Sequence, residues 1–272
     1  MKNLVEKEYW DSIYKNIGAG DNQTSSWQGL KNSIKNLTRD YSNFIIWEVL
    51  LPKYLPRNNQ YKILEVGCAP GKYLMKFNSE YGYVPYGVEY SEKGVAITRE
   101  NFKNAGLPEE NIVQADFFSE GFQSDYAGKF DVVFSRGFIE HYDNVEKVVS
   151  DHYRLLNRGG LLVIMIPNLS GVNYHLAKIL NIDSFRLHNI SIMNKKSFAS
   201  LFSKLSLEQL YSDYVGIFSW GLFNTNKRWK YVLHRVLLLI QRPVDLFLRV
   251  IFPGGMRYKY TSPYLLFIGK KR

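Results

Sequence analysis

The chain has 272 residues, of which 46% are hydrophobic, and it carries a net charge of +10 with a single cysteine. This apolar content suffices for a sizeable core, and one cysteine excludes an intramolecular disulfide, which favours a reducing compartment. The start, MKNLVEKEYW, lacks the apolar centre of a signal peptide, and charges and Pro243 interrupt the apolar segment 232–252. We therefore expect a cytoplasmic protein without a membrane span. The positive charge favours an anionic partner, such as nucleic acid, a phosphorylated substrate or an acidic membrane.

Two helices are predicted near the start of the chain, over residues 5–16 and 38–51. Between them, residues 16–29 (NIGAGDNQTSSWQG) are polar and contain glycines, which is typical of a mobile loop. Aromatic residues of the first helix, including Tyr9 and Trp10, form either a packing stripe or a lid over a ligand. We expect residues 1–60 to act as a helical cap.

From residue 61 onward, short apolar runs alternate with helical segments, which indicates a doubly wound α/β domain with a mostly parallel sheet. A helix is predicted over 91–106, where Ser91 is a natural N-cap and Gly106 a natural stop. Further helices are expected over 145–156 and 196–204, and an irregular or partly helical connection over 168–195. The strands are predicted at residues 62–66, 85–89, 111–116, 130–135, 161–166 and 207–217 and in the final segment 259–272. The core of the domain thus comprises residues 61–217 and 259–272.

Residues 218–258 form an aromatic, basic and helical insertion before the last strand. Apolar and basic residues alternate so that one helix face can be apolar with basic residues along its border. Such a helix packs on its own domain, on a second copy of the chain, or on an acidic membrane or lipid-linked substrate. We expect Pro243 to break or bend the helix into two pieces.

The segment 63–74, ILEVGCAPGKYL, leads from the first strand through a glycine-bearing turn into a helix. Such a turn places backbone N–H groups at the carboxyl edge of a parallel sheet, where ligands of these folds bind. Its pattern is E-x-G-x-x-x-G, which disfavours a dinucleotide fingerprint. Glu89 ends the second strand, where a carboxylate can accept hydrogen bonds from a ribose, and Asp116 is followed by Phe117 where an adenine could lie.

The segments ILEVGCAPGKYL, YGVEYS, NIVQADFF, FDVVFSRGFIEHYDN and LLNRGGLLVIMIPN, in this order, resemble the class I S-adenosylmethionine-dependent methyltransferases over about residues 40–217. The resemblance implies the seven-stranded, Rossmann-like fold of that family and S-adenosyl-L-methionine as cofactor. Ala69 departs from the central glycine that is usual in the loop. By this resemblance, the cofactor contacts are Glu65, Gly67, Cys68, Ala69, Gly71, Glu89, Tyr90, Asp116, Phe117, Ser135, Arg136 and Gly137, with Tyr9 and Trp10 folding over the cofactor.

His141 is the candidate catalytic base, since a hydroxyl acceptor must lose a proton and histidine accepts one near neutral pH. If so, the rate should fall below a pKa near neutrality. Alternatively, Glu140 and His141 only shape the loop. Together with His188 they could hold a metal, but no tight ligand spacing supports this, so no metal is expected. In resembling enzymes the connection after the fifth strand forms the substrate wall, which makes His188, Tyr174 and Arg186 the candidate substrate contacts.

The leading hypothesis is O-methylation of a small polar molecule or a glycan. The alternative is an RNA methyltransferase, favoured by the positive charge and by the APG in the first loop. Such relatives need an aspartate after the fourth strand, where this chain has Ser135 and Arg136. A third hypothesis is a scaffold that binds the cofactor without catalysis. A homodimer and a peripheral contact with an acidic membrane are the further expected interactions.

Overall fold

The computed structural model describes residues 4, 5, 7–14, 40–180, 186–223 and 228–272. The predicted mobile loop, residues 16–29, and the ends of both predicted N-terminal helices, at 15, 16, 38 and 39, lie outside the described residues, as does part of the connection after the fifth strand, 181–185.

A seven-stranded sheet in the order β3-β2-β1-β4-β5-β7-β6 forms the centre of the protein. The strands β1 to β5 run parallel, and β7 runs antiparallel to both β5 and β6. This confirms the predicted doubly wound, mostly parallel sheet. The strands are β1 Lys62–Val66, β2 Val84–Glu89, β3 Ile112–Gln114, β4 Phe130–Arg136, β5 Leu156–Pro167, β6 Leu207–Val215 and β7 Tyr264–Lys271.

Helices flank the sheet, and their ends follow the capping residues. Ser91 precedes the helix that follows β2 in the chain, and its Oγ accepts a hydrogen bond of 3.1 Å from the Gly94 N–H. The helices are α1 Lys7–Tyr14, α2 as the continuous run Tyr41–Phe44, Ile45–Leu50 and Leu51–Tyr54, α3 Lys72–Tyr81, α4 Glu92–Asn104, α5 Glu120–Asp125, α6 Val145–Leu155, α7 Val172–Leu180, α8 Lys195–Ser200 and α9 Arg228–Ile251. The central turn of α2, Ile45–Leu50, is π-helical.

Two hydrophobic clusters lie on opposite faces of the sheet, because alternate residues of each strand face opposite sides. Ile63 of β1 belongs to the cluster that contains α2, α3 and α4, and Leu64 belongs to the cluster that contains α5, α6 and α8. Trp47 of α2 is buried and its ring lies 5.0 Å from that of Phe77. α2 therefore packs into the core of the domain.

β5 begins five residues before the predicted start. Leu156 pairs with Phe130, and after an irregularity Leu161 pairs with Val132, so residues 157–160 bulge out of the ladder. The bulge has the polar sequence NRGG, and the strand continues through it although Gly159 has a φ of +80°. The bulge lies at the amino end of β5, far from the carboxyl edge that carries the site.

α9 is one continuous helix through Pro243, so the predicted break is wrong, whereas the predicted bend stays a prediction. Pro243 lies on the exposed side of α9, where a carbonyl that has lost its helical partner can bond to water. In the described part of the chain, no helix is both long enough and apolar enough to cross a bilayer.

Candidate active site

Three adjoining cavities follow the carboxyl edge of the sheet, and Gly67 lines all of them. The aromatic cavity, of 490 Å³, lies over β2 and β3 and is walled by Phe117, Phe118 and Phe138. The central cavity, of 120 Å³, lies beneath α1. The polar cavity, of 350 Å³, extends over β1, β4 and the Trp220–Leu222 turn. The arrangement suits a ligand with an apolar ring at one end and a polar chain near the centre.

The loop after β1 brings its backbone close to the cavities. Gly67 has a φ of +70°, and an added Cβ would lie 2.9 Å from the ring of Phe138. Both the conformation and the space therefore require glycine at this position. Cys68 turns away from the cavities and packs its buried Sγ against Gly87 of β2, where a Cβ on that glycine would lie 2.5 Å from it.

Glu65 lies one residue before the end of β1 and is a buried carboxylate in the wall of the polar cavity. Its Oε2 has no hydrogen-bond partner among the described residues. Burial raises the pKa of Glu65 well above its ordinary value, and the nearby charge of Lys72 offsets only part of this effect. An unpartnered acidic oxygen beside a cavity suits a ligand that brings a positive charge or a hydrogen-bond donor.

Two strand-end acids frame the aromatic cavity, as predicted from the sequence. Glu89 is buried, accepts a hydrogen bond of 2.9 Å from the Ser91 N–H, and has a pKa raised by its burial. Asp116 is exposed, and its Oδ1 accepts a hydrogen bond of 2.9 Å from the Phe118 N–H. The hydrogen bonds fix both carboxylates toward a cavity with phenylalanine faces, which matches the hydroxyls of a ribose and the plane of an adenine.

α1 covers the central cavity. Trp10 and Tyr14 line this cavity, and the Trp10 ring lies edge-on to His141 with centroids 5.4 Å apart. The segment is tied down by a hydrogen bond of 2.8 Å from the Leu4 N–H to the carbonyl of His141 and by one between Ser91 Oγ and Asp11. These contacts support the lid interpretation for Trp10, whereas Tyr9 is 39% exposed and lines none of the three cavities.

His141 lies in the wall between the central and polar cavities. Its Nδ1 is 2.7 Å from the carbonyl oxygen of Leu187. Since a carbonyl only accepts, Nδ1 carries the hydrogen and Nε2 keeps a lone pair. Burial, aided by the neighbouring His188, lowers the pKa of His141 to about 3. Burial of His141 thus disfavours a pKa near neutrality, while the pH dependence of the rate stays a prediction.

Glu140 is completely buried beside His141, and within the described part of the chain neither of its carboxylate oxygens has a partner that meets normal hydrogen-bond geometry. Burial raises its pKa to about 8, and the backbone N–H groups of Glu140 and Phe138 oppose this only in part. Glu140, His141 and His188 offer ligand atoms within 4.8 Å of one another. The fold thus brings His188 next to the consecutive residues Glu140 and His141, although the expectation of no metal stays a prediction.

Arg136 and Lys72 bring positive charge to the polar cavity. The guanidinium of Arg136 lies 5.0 Å from the ring centroid of Tyr73 and 4.8 Å from that of Tyr264. A hydrogen bond of 3.2 Å to Asn43 Oδ1 further fixes it. The two aromatic faces hold the cation in place at the mouth of the cavity.

Not every predicted site residue reaches the three cavities. Gly71 caps α3 and packs against α4, Ser135 is buried within β4, and Tyr174 contacts His175 and Lys178 on α7. Arg186 lines a separate surface cavity that it shares with His188. Sequence reasoning missed several lining residues that lie in the helices and loops after the strands or in distant parts of the chain, namely Lys72, Tyr73, Phe138, Tyr142, Lys147, Gly221, Leu222 and Tyr264.

The glycine cradle, the strand-end acids and the unpartnered Glu65 oxygen fit S-adenosyl-L-methionine, which carries an adenosine at one end and two cationic groups near the other. Fold and site together define an S-adenosylmethionine-dependent methyltransferase. The sequence profile described as "Methyltransferase domain" matches residues 38–212. The chain belongs to this methyltransferase domain family, and it is a transferase that uses S-adenosyl-L-methionine.

Individual relatives differ in their reactions. Over 137 residues, 50% of this chain and 67% of the relative, the chain is 27% identical to the probable cobalt-precorrin-6B C(15)-methyltransferase (decarboxylating) of Saccharolobus solfataricus. Geranyl diphosphate C-methyltransferase from Streptomyces coelicolor A3(2) superimposes with a TM-score of 0.58 at 12% identity, covering 98% of each chain. A possible histamine N-methyltransferase from Thermotoga maritima gives a TM-score of 0.54 at 15% identity, covering 90% of this chain and 96% of that one. These two structures share the fold of this chain, and at 12% and 15% identity they do not identify its methyl acceptor.

Proposed function

We propose that this methyltransferase O-methylates a small polar molecule or a glycan unit, which binds in the polar cavity with a hydroxyl directed at His141. The observation that carries the proposal is the position of His141 in the wall shared by the central and polar cavities, with Nδ1 held by Leu187. Its Nε2 is the basic nitrogen available to a hydroxyl at that boundary. The polar cavity, at 350 Å³, has a volume that suits a small ligand.

When bound, S-adenosyl-L-methionine supplies an electrophilic methyl group on a sulfonium. The chain's part is to align the acceptor oxygen in line with the carbon–sulfur bond and to exclude water. His141 would accept the hydroxyl proton at Nε2 as the acceptor oxygen takes the methyl group, and S-adenosylhomocysteine would be the second product. Because burial keeps the pKa of His141 low, the proton transfer must accompany methyl transfer and cannot precede it.

The remaining groups of the polar cavity are assigned to binding. Arg136, held between Tyr73 and Tyr264, can pair with an anionic or hydroxyl-rich part of the acceptor. His188 lies beside His141, with ring centroids 4.6 Å apart, and is the second polar group near the reacting atoms. α1 closes the site over the cofactor through Trp10 and Tyr14. Tyr174 and Arg186 line none of the three cavities, and their role as substrate contacts stays a prediction.

The test is incubation with S-adenosylmethionine carrying a ¹³C-labelled methyl group and separate pools of RNA, protein and non-macromolecular cell extract. We expect the label in the non-macromolecular pool, with the chemical shift of a methyl group on oxygen. Label on nitrogen or carbon would contradict O-methylation, and label in RNA would support the alternative that the positive charge suggests. Binding of the cofactor without label in any pool would support the scaffold hypothesis.

A further inference from the structure

α9 contacts the domain through polar residues and Leu248, and it exposes most of its other apolar residues. His234, Gln241 and Asp245 face the domain, and Gln241 and Asp245 are 8% and 4% exposed. Gln241 Oε1 accepts a hydrogen bond of 2.7 Å from the Trp220 N–H, and His234 Nε2 donates one of 2.8 Å to the carbonyl of Trp220. This is the reverse of a surface helix that packs its apolar face on its own core.

The opposite side of α9 is a continuous apolar surface. A helix turns about 100° per residue, so residues three, four and seven apart share a side. Val250 and Phe247 are 71% and 61% exposed. The apolar surface of α9 comprises Val232, Val236, Leu239, Ile240, Val244, Leu246, Phe247, Val250 and Ile251, each at least 45% exposed. So large an exposed apolar surface marks an interaction site.

The charges of α9 identify what covers this surface. Arg235 and Arg242, seven residues apart and both exposed, lie along one border of the apolar surface. Asp245 is the helix's only acidic residue, and it is buried against the domain. The helix thus presents apolar side chains with a positive border to its surroundings. A second copy of the chain would bring another positively charged surface, whereas an anionic lipid surface satisfies both features.

We propose that α9 lies in the surface of an anionic membrane, with the apolar surface of α9 among the acyl chains and Arg235 and Arg242 at the phosphates. The position also bears on the acceptor. The Trp220–Leu222 turn, hydrogen-bonded to α9, contributes Gly221 and Leu222 to the polar cavity. If the proposed function holds, the acceptor is therefore a polar head group that a lipid carries at this membrane, and it enters the cavity past α9.

The test is sedimentation with phosphatidylcholine vesicles, with and without phosphatidylglycerol, together with the mass of the protein in solution. We expect binding only to the anionic vesicles and release by salt. The double variant Arg235→Glu with Arg242→Glu should lower the partition coefficient between water and anionic vesicles roughly 25-fold or more, because each arginine contributes about fivefold. Phe247→Ser with Val250→Ser should lower it at least as much. The control Ile179→Ser, at a residue of α7 that is 65% exposed, should bind like the wild type.

All four proteins should bind S-adenosylmethionine equally, which shows that they are folded. Equal binding to neutral vesicles, no binding to either kind, or a discrete dimer that Phe247→Ser with Val250→Ser dissociates would overturn the membrane assignment. The ¹³C label tests the acceptor separately. Vesicle binding with the label on a water-soluble product would retain the docking and refute the lipid-borne acceptor. An O-methyl group on a lipid without vesicle binding would retain the reaction and refute the docking.

Discussion

Glu140→Gln should stabilise the protein at alkaline pH. Burial raises the pKa of Glu140 from 4.5 to about 8. Each pKa unit corresponds to about 1.36 kcal/mol. The free energy of unfolding is therefore lower by up to about 5 kcal/mol at a pH at which this carboxyl is ionised in the unfolded chain. A carboxyl with a raised pKa in the folded state lowers stability as the pH rises from the unfolded pKa to the folded one. Glutamine has nearly the same shape and does not ionise.

The assay is urea unfolding of wild type and Glu140→Gln between pH 5 and 9, after dialysis against EDTA. We expect the free energies of unfolding to be similar at pH 5, and the variant's advantage to grow by several kcal/mol up to about pH 8 and then level off. Glu146→Gln is the matched control, because Glu146 is exposed on α6 and its carboxylate contacts water in both states. A difference between Glu140→Gln and wild type that does not change with pH would refute the burial argument.

Gly67→Ala and Gly106→Ala form a pair with φ values of +70° and +69°. Each variant should lose about 1–2 kcal/mol of stability from backbone strain. Only Gly67→Ala, whose Cβ would lie 2.9 Å from Phe138, should also bind the cofactor more weakly in calorimetry. Equal affinities of the two variants would contradict the close approach of the loop after β1 to the cofactor. His141→Ala should lower the turnover of the identified acceptor roughly 10²–10⁴-fold with unchanged cofactor affinity, and near-normal turnover would return His141 to a structural role. In the wild type, protonation of His141 should not reduce the rate between pH 8 and 5, because burial lowers its pKa to about 3. A wild-type rate that falls below pH 6.5, together with a His141→Ala rate that does not, would contradict this. Removal of divalent metal with EDTA should leave turnover unchanged. A turnover that EDTA abolishes and that Mg²⁺ or Zn²⁺ restores would instead indicate that Glu140, His141 and His188 bind a metal.

The sequence predicts which acidic residues meet at the cavities because these residues lie at or near the ends of parallel strands. Glu65, Glu89 and Asp116 each follow an apolar run, and parallel strands bring such ends to one edge of the sheet. Phe138 and Tyr142 were missed because they lie in an irregular segment after β4, where no periodicity indicates which side chains face the cavity. Tyr264 was missed because only the antiparallel pairing of β7 with β5 brings it to Arg136.

Burial and exposure were harder to predict than position. Nothing in RGFIEHYDN indicates that Glu140 is completely buried, since a charged residue in a loop is ordinarily exposed. The sequence of α9 shows that the helix is amphipathic, but amphipathicity alone does not say which face contacts the domain. That face is decided by the hydrogen bonds of Gln241 and His234 with Trp220, which are tertiary contacts.

The most direct test of the site is calorimetric titration of wild type and Glu89→Gln with S-adenosylmethionine, with Glu92→Gln as the control. Glu89 is buried in the wall between the aromatic and central cavities, whereas Glu92 is exposed one turn away at the start of α4. Loss of charged hydrogen bonds to the ribose should weaken binding by about 1.5–3 kcal/mol, which is roughly 10–150-fold in Kd. Glu92→Gln should bind like the wild type. Unchanged affinity in Glu89→Gln, or equal losses in both variants, would contradict the placement of the cofactor on which the account rests.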